Sequence, residues 1–334
     1  MAKNRQIVLR ERPVGMIDES CFEVIESPVP DPGPGEALVR VEYVSLDPAM
    51  RGWLDAGDTY VSAVGIGEVM RSGGLGEVVA SNDPAVPVGA TASGFVGWQD
   101  YALVGGEREQ PIVLPDGIEP LDALSVYGGT GLTAYFGMLE VGRAKDGETV
   151  VVSGAAGATG SAAGQIALIL GCRVVGIAGT DEKCSWVADG LGFDACINYR
   201  TEDVGACLRE TCPDGIDVFF DNVGGEILDL VLARINDYAR IVLCGAISNY
   251  NAVELPPGPR NVGNLIVHRG RMEGFIVLDY RERFLEAILA LAGWVGEGRL
   301  KHRVDVVEGL EQAPRAINRL FTGENTGKLV VKVA

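Results

Sequence analysis

A chain of 334 residues, 47% hydrophobic and 22% charged, is long enough to bury two separate cores. Its 28 basic and 46 acidic residues give a formal charge of −18 spread along the chain, which argues against nucleic acid or anionic membrane as a partner, since both require a basic surface. Apolar stretches are broken by Gly, Ser, Gln or Arg before they reach spanning length, and no basic segment with an apolar core and small-residue cleavage site opens the chain, so a cytoplasmic location is expected.

In chain order, residues 1 to about 127 are rich in strand and turn signals. Alternating or apolar runs at 37–44, 76–80 and 90–96 are separated by Pro/Gly turns, the densest over 27–35. From residue 128 the pattern changes to strands alternating with helices. Strands are expected at Thr149–Ser153, Arg173–Ala178, Ala195–Asn198, 218–221, 240–244 and 272–277. Helices are expected directly after Gly160 and at 183–191, 203–211, 225–235 and 284–297. Six strands with intervening helices predict an α/β fold with a doubly wound parallel (Rossmann) sheet. The run 328–333 is strand-like again. The expected division is therefore residues 1–127 plus 298–334 as a β-rich domain, and 128–297 as a Rossmann domain.

The most informative segment is the β-branched run 150–152 followed at once by Ala155-x-Gly157-x-x-Gly160. Apolar residues at helical spacing then run to Gly171, and a second β-branched run closes a βαβ unit of roughly 30 residues. A glycine triplet by itself can be a tight turn. In this context it reads as a dinucleotide site, with Gly157 admitting a pyrophosphate, Gly160 allowing helix and strand to pack closely, and the amides at Ala158 and Thr159 opening the helix. Ala155 stands where the first glycine usually lies.

Proteins that prefer NAD carry an acidic residue at the end of the second strand, for the ribose hydroxyls. Gly179 and Thr180 occupy that position here, and Lys183 follows as a cation suited to a 2′-phosphate. Tyr199, with Arg200 beside it, could reach the same phosphate. NADP(H) is therefore the expected cofactor. Asp181 keeps NAD open as the alternative, and a solvated helix start and a loop are the ordinary settings for Lys183 and Arg200.

The seven cysteines are scattered, and the histidines are His268 and His302 alone. Reduced thiols are expected and a metal site is not.

Taken together, the segments Asp47-Pro-Ala-Met-Arg-Gly52, Gly131-Leu-Thr-Ala-Tyr-Phe-Gly137, Ala155-Ala-Gly-Ala-Thr-Gly160, Asp181-Glu-Lys183, Asp221-Asn-Val-Gly-Gly225, Cys244-Gly-Ala-Ile-Ser-Asn-Tyr-Asn251, Pro256-Pro-Gly-Pro259 and Glu324-Asn-Thr-Gly-Lys328 occur in one order. In this the chain resembles the zinc-independent medium-chain dehydrogenase/reductases, in the prostaglandin reductase and alkenal double-bond reductase branch. The resemblance implies that the β-rich domain is GroES-like. It also implies that NADPH is used to reduce the carbon–carbon double bond of α,β-unsaturated ketones or aldehydes. Negative charge would develop on the substrate carbonyl oxygen as an enolate, so a preorganised donor is needed. The resemblance puts Tyr250 in that role, near the nicotinamide ribose. It places Asn222, Ser248, Phe275, Val277 and Asn325 with Ala155, Gly157, Ala158, Thr159, Gly160, Gly179, Thr180, Lys183 and Tyr199 at the cofactor. Simple turn chemistry is the plainer account of Asn222 and Asn325, and packing on the proline-rich segment that of Tyr250.

Relatives often have tyrosine where this chain has Ala49, so substrate preference does not carry over. Trp53 and Tyr60 are candidates to refill the space, and bulky aryl enones become an expected substrate class. Tyr135, Phe136 and Met138 read as core, and Arg51 as a residue that holds a loop. The alternative functions are an NADPH:quinone oxidoreductase of the same superfamily and a non-catalytic NADP-binding protein. The outer strand at 272–277 leaves a free sheet edge, from which a homodimer is expected.

Overall fold

The computed structural model describes residues 3–57, 59–115, 117–254 and 256–333. The chain divides after Leu124 and after Arg303 into a terminal unit, made from both ends of the sequence, and a central unit. The expected division lay at 127/128 and 297/298.

In the terminal unit the strand signals become Glu36–Ser45, Gly73–Ser81 and Thr91–Phe95, each paired antiparallel with the next. Their seven-stranded sheet is extended by Lys328–Lys332 and by Val304–Glu308, a strand that the sequence pattern does not reveal. Only this last pair is parallel. A separate ribbon pairs Lys3–Leu9 with Phe22–Pro28. Side chains such as Val39, Val44, Leu46, Met50 and Trp98 fill the core between these elements. Arg51 is 4% exposed and donates to the carbonyls of Gly15 and Pro13 while pairing with Asp55 at 2.7 Å, so it holds a loop. Trp53 lies in the same core beside Ala49, whereas Tyr60 is about half exposed.

The central unit holds the expected six-stranded parallel sheet. Across it the strands run Ala195–Asn198, Arg173–Ala178, Thr149–Ser153, Ile216–Asp221, Ile235–Leu243 and Arg271–Gly274. In chain order this is third, second, first, fourth, fifth, sixth, the doubly wound dinucleotide order. Alternation along the strands explains why they are apolar throughout. Val150, Val152, Val218, Phe220 and Val242 enter one core with the helix Ala158–Ile169, and Val151, Val175, Phe219 and Ile241 enter another with the helices Val204–Thr211 and Gly225–Leu232. Tyr135, Phe136 and Met138 are buried in the first of these.

Several boundaries differ from the sequence reading. The sixth strand ends at Gly274, because the Phe275 ring leaves the sheet edge to pack over Gly137 beside Phe220. Val277 instead opens a 3-10 segment, Val277–Arg283. The helix expected over 183–191 is an α-turn, Asp181–Ser185, running into a π-turn, Trp186–Gly190. Asp203 stands outside its helix as the N-cap, accepting the Ala206 amide at 2.9 Å. Among the described residues no helix is long and apolar enough to cross a membrane.

In the terminal unit Lys328 is buried, with Nζ 2.6 Å from an Asp47 carboxylate oxygen and 2.9 Å from the Leu46 carbonyl. The same carboxylate accepts the Ser45 hydroxyl. Removing the ammonium leaves a poorly solvated carboxylate and an unmet carbonyl. Lys328→Met should therefore lower unfolding free energy by about 2–3 kcal/mol, somewhat under the loss for a fully buried pair because Asp47 keeps part of its hydration. Lys332→Met, which breaks a 3.7 Å surface pair with Glu308, should change it by less than about 0.5 kcal/mol. Urea unfolding of the two variants separates these outcomes.

Candidate functional site

All six strands of the central sheet point the same way, so their carboxyl ends share one edge. Every expected site residue of this unit follows one of those ends. The first and fourth strands are neighbours, and the chain winds away from them in opposite directions, so the switch point lies between Ser153 and Asp221.

The turn after Ser153 is built on Gly154, whose φ of 62° is left-handed and suits glycine. The Gly157 amide closes back on the Gly154 carbonyl at 2.9 Å, and Gly157 then caps the twelve-residue helix Ala158–Ile169 without a side chain. Among the described residues the amides of Ala158, Thr159 and Gly160 meet no acceptor, as the first turn of a helix requires. A Cβ on Gly157 would stand 3.2 Å from the Gly154 carbonyl oxygen, and one on Gly160 would run into that oxygen. Gly160 therefore needs to be glycine for closeness, whereas a side chain at Gly157 would only be tight. Ala155 is fully buried, and it fits because Gly176 on the next strand has no side chain (a Cβ there would be 2.9 Å from that of Ala155).

Beyond the second strand, Gly179, Thr180, Lys183 and Tyr199 come together. A Cβ on Gly179 would meet the Tyr199 hydroxyl at 2.9 Å, so the phenol lies directly over the glycine. The Thr180 hydroxyl accepts the Lys183 amide at 3.2 Å as the N-cap of Asp181–Ser185. Asp181, the acid that favours NAD, accepts from the Asn198 amide at 2.6 Å. The Arg200 guanidinium carbon is 5.9 Å from the Tyr199 ring centroid.

The fourth and fifth strands supply the remaining groups. Asn222 donates its side-chain amide to the Ser153 carbonyl at 2.7 Å and its backbone N–H to the Ser153 hydroxyl at 2.8 Å. Ser248 donates its hydroxyl to the Val223 carbonyl at 2.7 Å and touches the Gly224–Gly225 turn. Tyr250 folds back so that its hydroxyl accepts the Ala246 amide at 3.2 Å and lies against Gly245. Phe275 and Val277 pack partly buried on the core. Asn325 belongs to the terminal unit, where it is buried and donates to the Gly327 carbonyl at 3.0 Å.

Comparison with known proteins decides the family. The model of the N-terminal domain of oxidoreductases matches residues 5–112, and that of zinc-binding dehydrogenases matches 158–293. The chain is similar to an NADPH-dependent curcumin reductase of Escherichia coli, 41% identical over 99% of this chain and 97% of that protein. It is also similar to an NADP(+)-dependent 2-alkenal reductase of Nicotiana tabacum, 38% identical over 99% and 98%. The crystal structure of CurA from Vibrio vulnificus in complex with NADPH superimposes with a TM-score of 0.93 at 44% identity, covering 99% of each chain. The chain belongs to the zinc-independent medium-chain dehydrogenase/reductases. Among the described residues of this medium-chain dehydrogenase/reductase, no group of three His, Cys, Asp or Glu side chains could hold a metal ion.

Two residues at the switch point escaped the sequence reading of this family member. Ser153 and Asp221 are both fully buried, with the Ser153 hydroxyl donating to Asp221 at 2.7 Å. The Asp221 carboxylate also accepts the amides of Val223 and Gly224 at 3.0 Å. The available signal was an acidic residue closing an apolar strand, three residues before a double glycine. Gly154 and Gly176 were missed too, because the motif directs attention to Ala155.

Burial pushes the Asp221 carboxyl above the ordinary carboxylate range, against the amides of Gly224 and Val223 and the Ser153 hydroxyl, which favour the charged form. The folded state therefore binds the proton more readily than the unfolded chain does. Its stabilising contribution is largest below the unfolded value and declines as pH rises through the native one. An asparagine has no such dependence. The melting temperature of the wild type relative to Asp221→Asn should fall as pH rises above the ordinary carboxylate range, and a flat difference would remove the raised carboxyl.

Proposed function

We propose that this chain is an NADPH-dependent reductase that saturates the carbon–carbon double bond of α,β-unsaturated ketones and aldehydes, with Tyr250 as the donor to the carbonyl oxygen. The observation that carries the reading is the Tyr250 phenol, held by the Ala246 amide at the carboxyl edge of the sheet beside the switch point. Relatives named for curcumin and 2-alkenals support the substrate class.

The residues present fit the cofactor. The glycine cradle at Gly157 and Gly160, with the amides of Ala158, Thr159 and Gly160 that meet no acceptor among the described residues, suits a pyrophosphate. Tyr199, over the side-chain-free Gly179, and Lys183, in the turn capped by Thr180, suit a 2′-phosphate. Asn222 and Ser248 would line the nicotinamide side, together with the backbone at Phe275 and Val277. Bound NADPH would supply a hydride equivalent to the β-carbon. Tyr250 would donate its hydroxyl proton in a hydrogen bond to the carbonyl oxygen, where negative charge grows as the double bond is lost, and the α-carbon of the resulting enolate would take a proton from water or a positioned acid to give the saturated product. A phenol that itself accepts the Ala246 amide is polarised toward stronger donation. The same reading takes Arg271–Gly274, the outer strand of the sheet, as the pairing edge of a homodimer; the apolar Ile266 and Val267, 84% and 63% exposed, lie just before it in the chain.

The defining experiment follows NADPH oxidation with trans-phenylbutenone, 2-nonenal and a benzoquinone, with products identified by mass. Saturated ketone or aldehyde is expected. Hydroquinone alone would make the protein a quinone reductase, and tight NADPH binding without turnover would make it a binding protein. Tyr250→Phe should lower kcat/KM for the enone by about 10²–10³, and a loss under about threefold would remove the tyrosine from the mechanism. Lys183→Ala should weaken NADPH binding about tenfold or more while leaving NADH nearly unaffected, as read by quenching of protein fluorescence.

A further inference from the structure

We infer that Ser153 and Asp221 are positioning residues for Tyr250, acting through a hydrogen-bonded ladder between the loops that leave the fourth and fifth strands of the central sheet. This rests on the reading of Tyr250 as the donor to substrate.

Neither residue can touch a ligand itself, since both are fully buried. They fix the segment 222–224 from below. The Asp221 carboxylate gathers the amides of Val223 and Gly224, and it orients the Ser153 hydroxyl, which in turn accepts the Asn222 amide at 2.8 Å. Gly224, at φ 73°, completes the turn. The loop that carries the tyrosine then hangs on this segment rung by rung. The amides of Cys244 and Gly245 donate to the Asp221 carbonyl at 2.9 and 3.0 Å. The Ile247 amide donates to the Asn222 carbonyl at 3.2 Å, and Ser248 gives both its amide and its hydroxyl to the Val223 carbonyl, at 3.1 and 2.7 Å. Between these rungs lies Ala246, whose amide holds the Tyr250 hydroxyl. A shift of Asn222 or Val223 is therefore passed to the phenol.

Misplacing a reacting group by about 1 Å can cost 10²-fold in rate, and loss of one anchor at the root of the ladder should move the phenol by less. Ser153→Ala strips the acceptor from the Asn222 amide with almost no change in volume. Asp221→Asn keeps one carboxyl-like acceptor but turns an amino group toward the Gly224 amide, and it serves if the first variant does not fold. Each should lower kcat for 2-nonenal about tenfold, with KM for the enal and the NADPH dissociation constant from fluorescence quenching held within about twofold.

The deciding measurement is the double-mutant cycle with Tyr250→Phe. If the ladder acts through the phenol, neither variant lowers kcat further once the hydroxyl is gone. Losses that multiply in the Tyr250→Phe background, or a weakened NADPH affinity equal to the loss in turnover, would show general structural damage and overturn the inference while leaving the role of Tyr250 intact. Full activity in Ser153→Ala and Asp221→Asn would do the same. A silent Tyr250→Phe would instead take away the donor, and the positioning role with it.

Discussion

A carboxyl group with no solvent exposure needs donors to replace its lost water, and the Ser153 hydroxyl and the amides of Val223 and Gly224 offset part of that loss at Asp221. That requirement shapes everything around it. It joins the ends of the two adjacent strands at which the winding reverses, and it bends the chain sharply into the helix Gly225–Leu232. Its backbone carbonyl then begins the pairing with the loop after the fifth strand. The site edge is open because the strands end together, and it is ordered because this one group has to be satisfied.

The proposed nucleotide side of the same edge combines close backbone approach with local charge. With a net charge of −18 the mean field opposes an anionic ligand, so attraction has to come from groups at short range. On the proposed reading, the helix amides past Gly157 and Gly160 would provide this without a side chain, with Lys183 and the Tyr199 phenol over Gly179 completing the nucleotide side. Asp181 is drawn into a hydrogen bond with Asn198, the last residue of the third strand. A carboxylate that reads as a selectivity signal in the sequence thereby becomes part of the scaffold.

The terminal unit uses the opposite solution for its buried charge. Lys328 reaches back from the last strand to Asp47 and Leu46, tying the end of the sequence to the segment that opens the Asp-Pro-Ala-Met-Arg element. Arg51, in the same element, is wholly engaged with backbone carbonyls and Asp55. Charged residues that stand out in a motif are here consumed by loop geometry.

The order of strands and helices, the parallel sheet and the glycine turn could be read from the sequence because each follows from local periodicity: β-branched runs buried on both faces, apolar residues at helical spacing, and glycines where the backbone bends or closes. Edges of elements were less legible. The fifth strand begins at Ile235, five residues before its apolar stretch, and Val304–Glu308 alternates too weakly to be seen alone, since both are held by pairing with distant strands. Phe275 reads as strand by propensity but is drawn off by the space over Gly137. Tertiary structure alone could decide which polar residues are used up internally and which line the edge. Ser153 and Asp221 are far apart in sequence and meet only because the first and fourth strands are neighbours, and no local pattern encodes a hydrogen bond whose partners are brought together by a sheet.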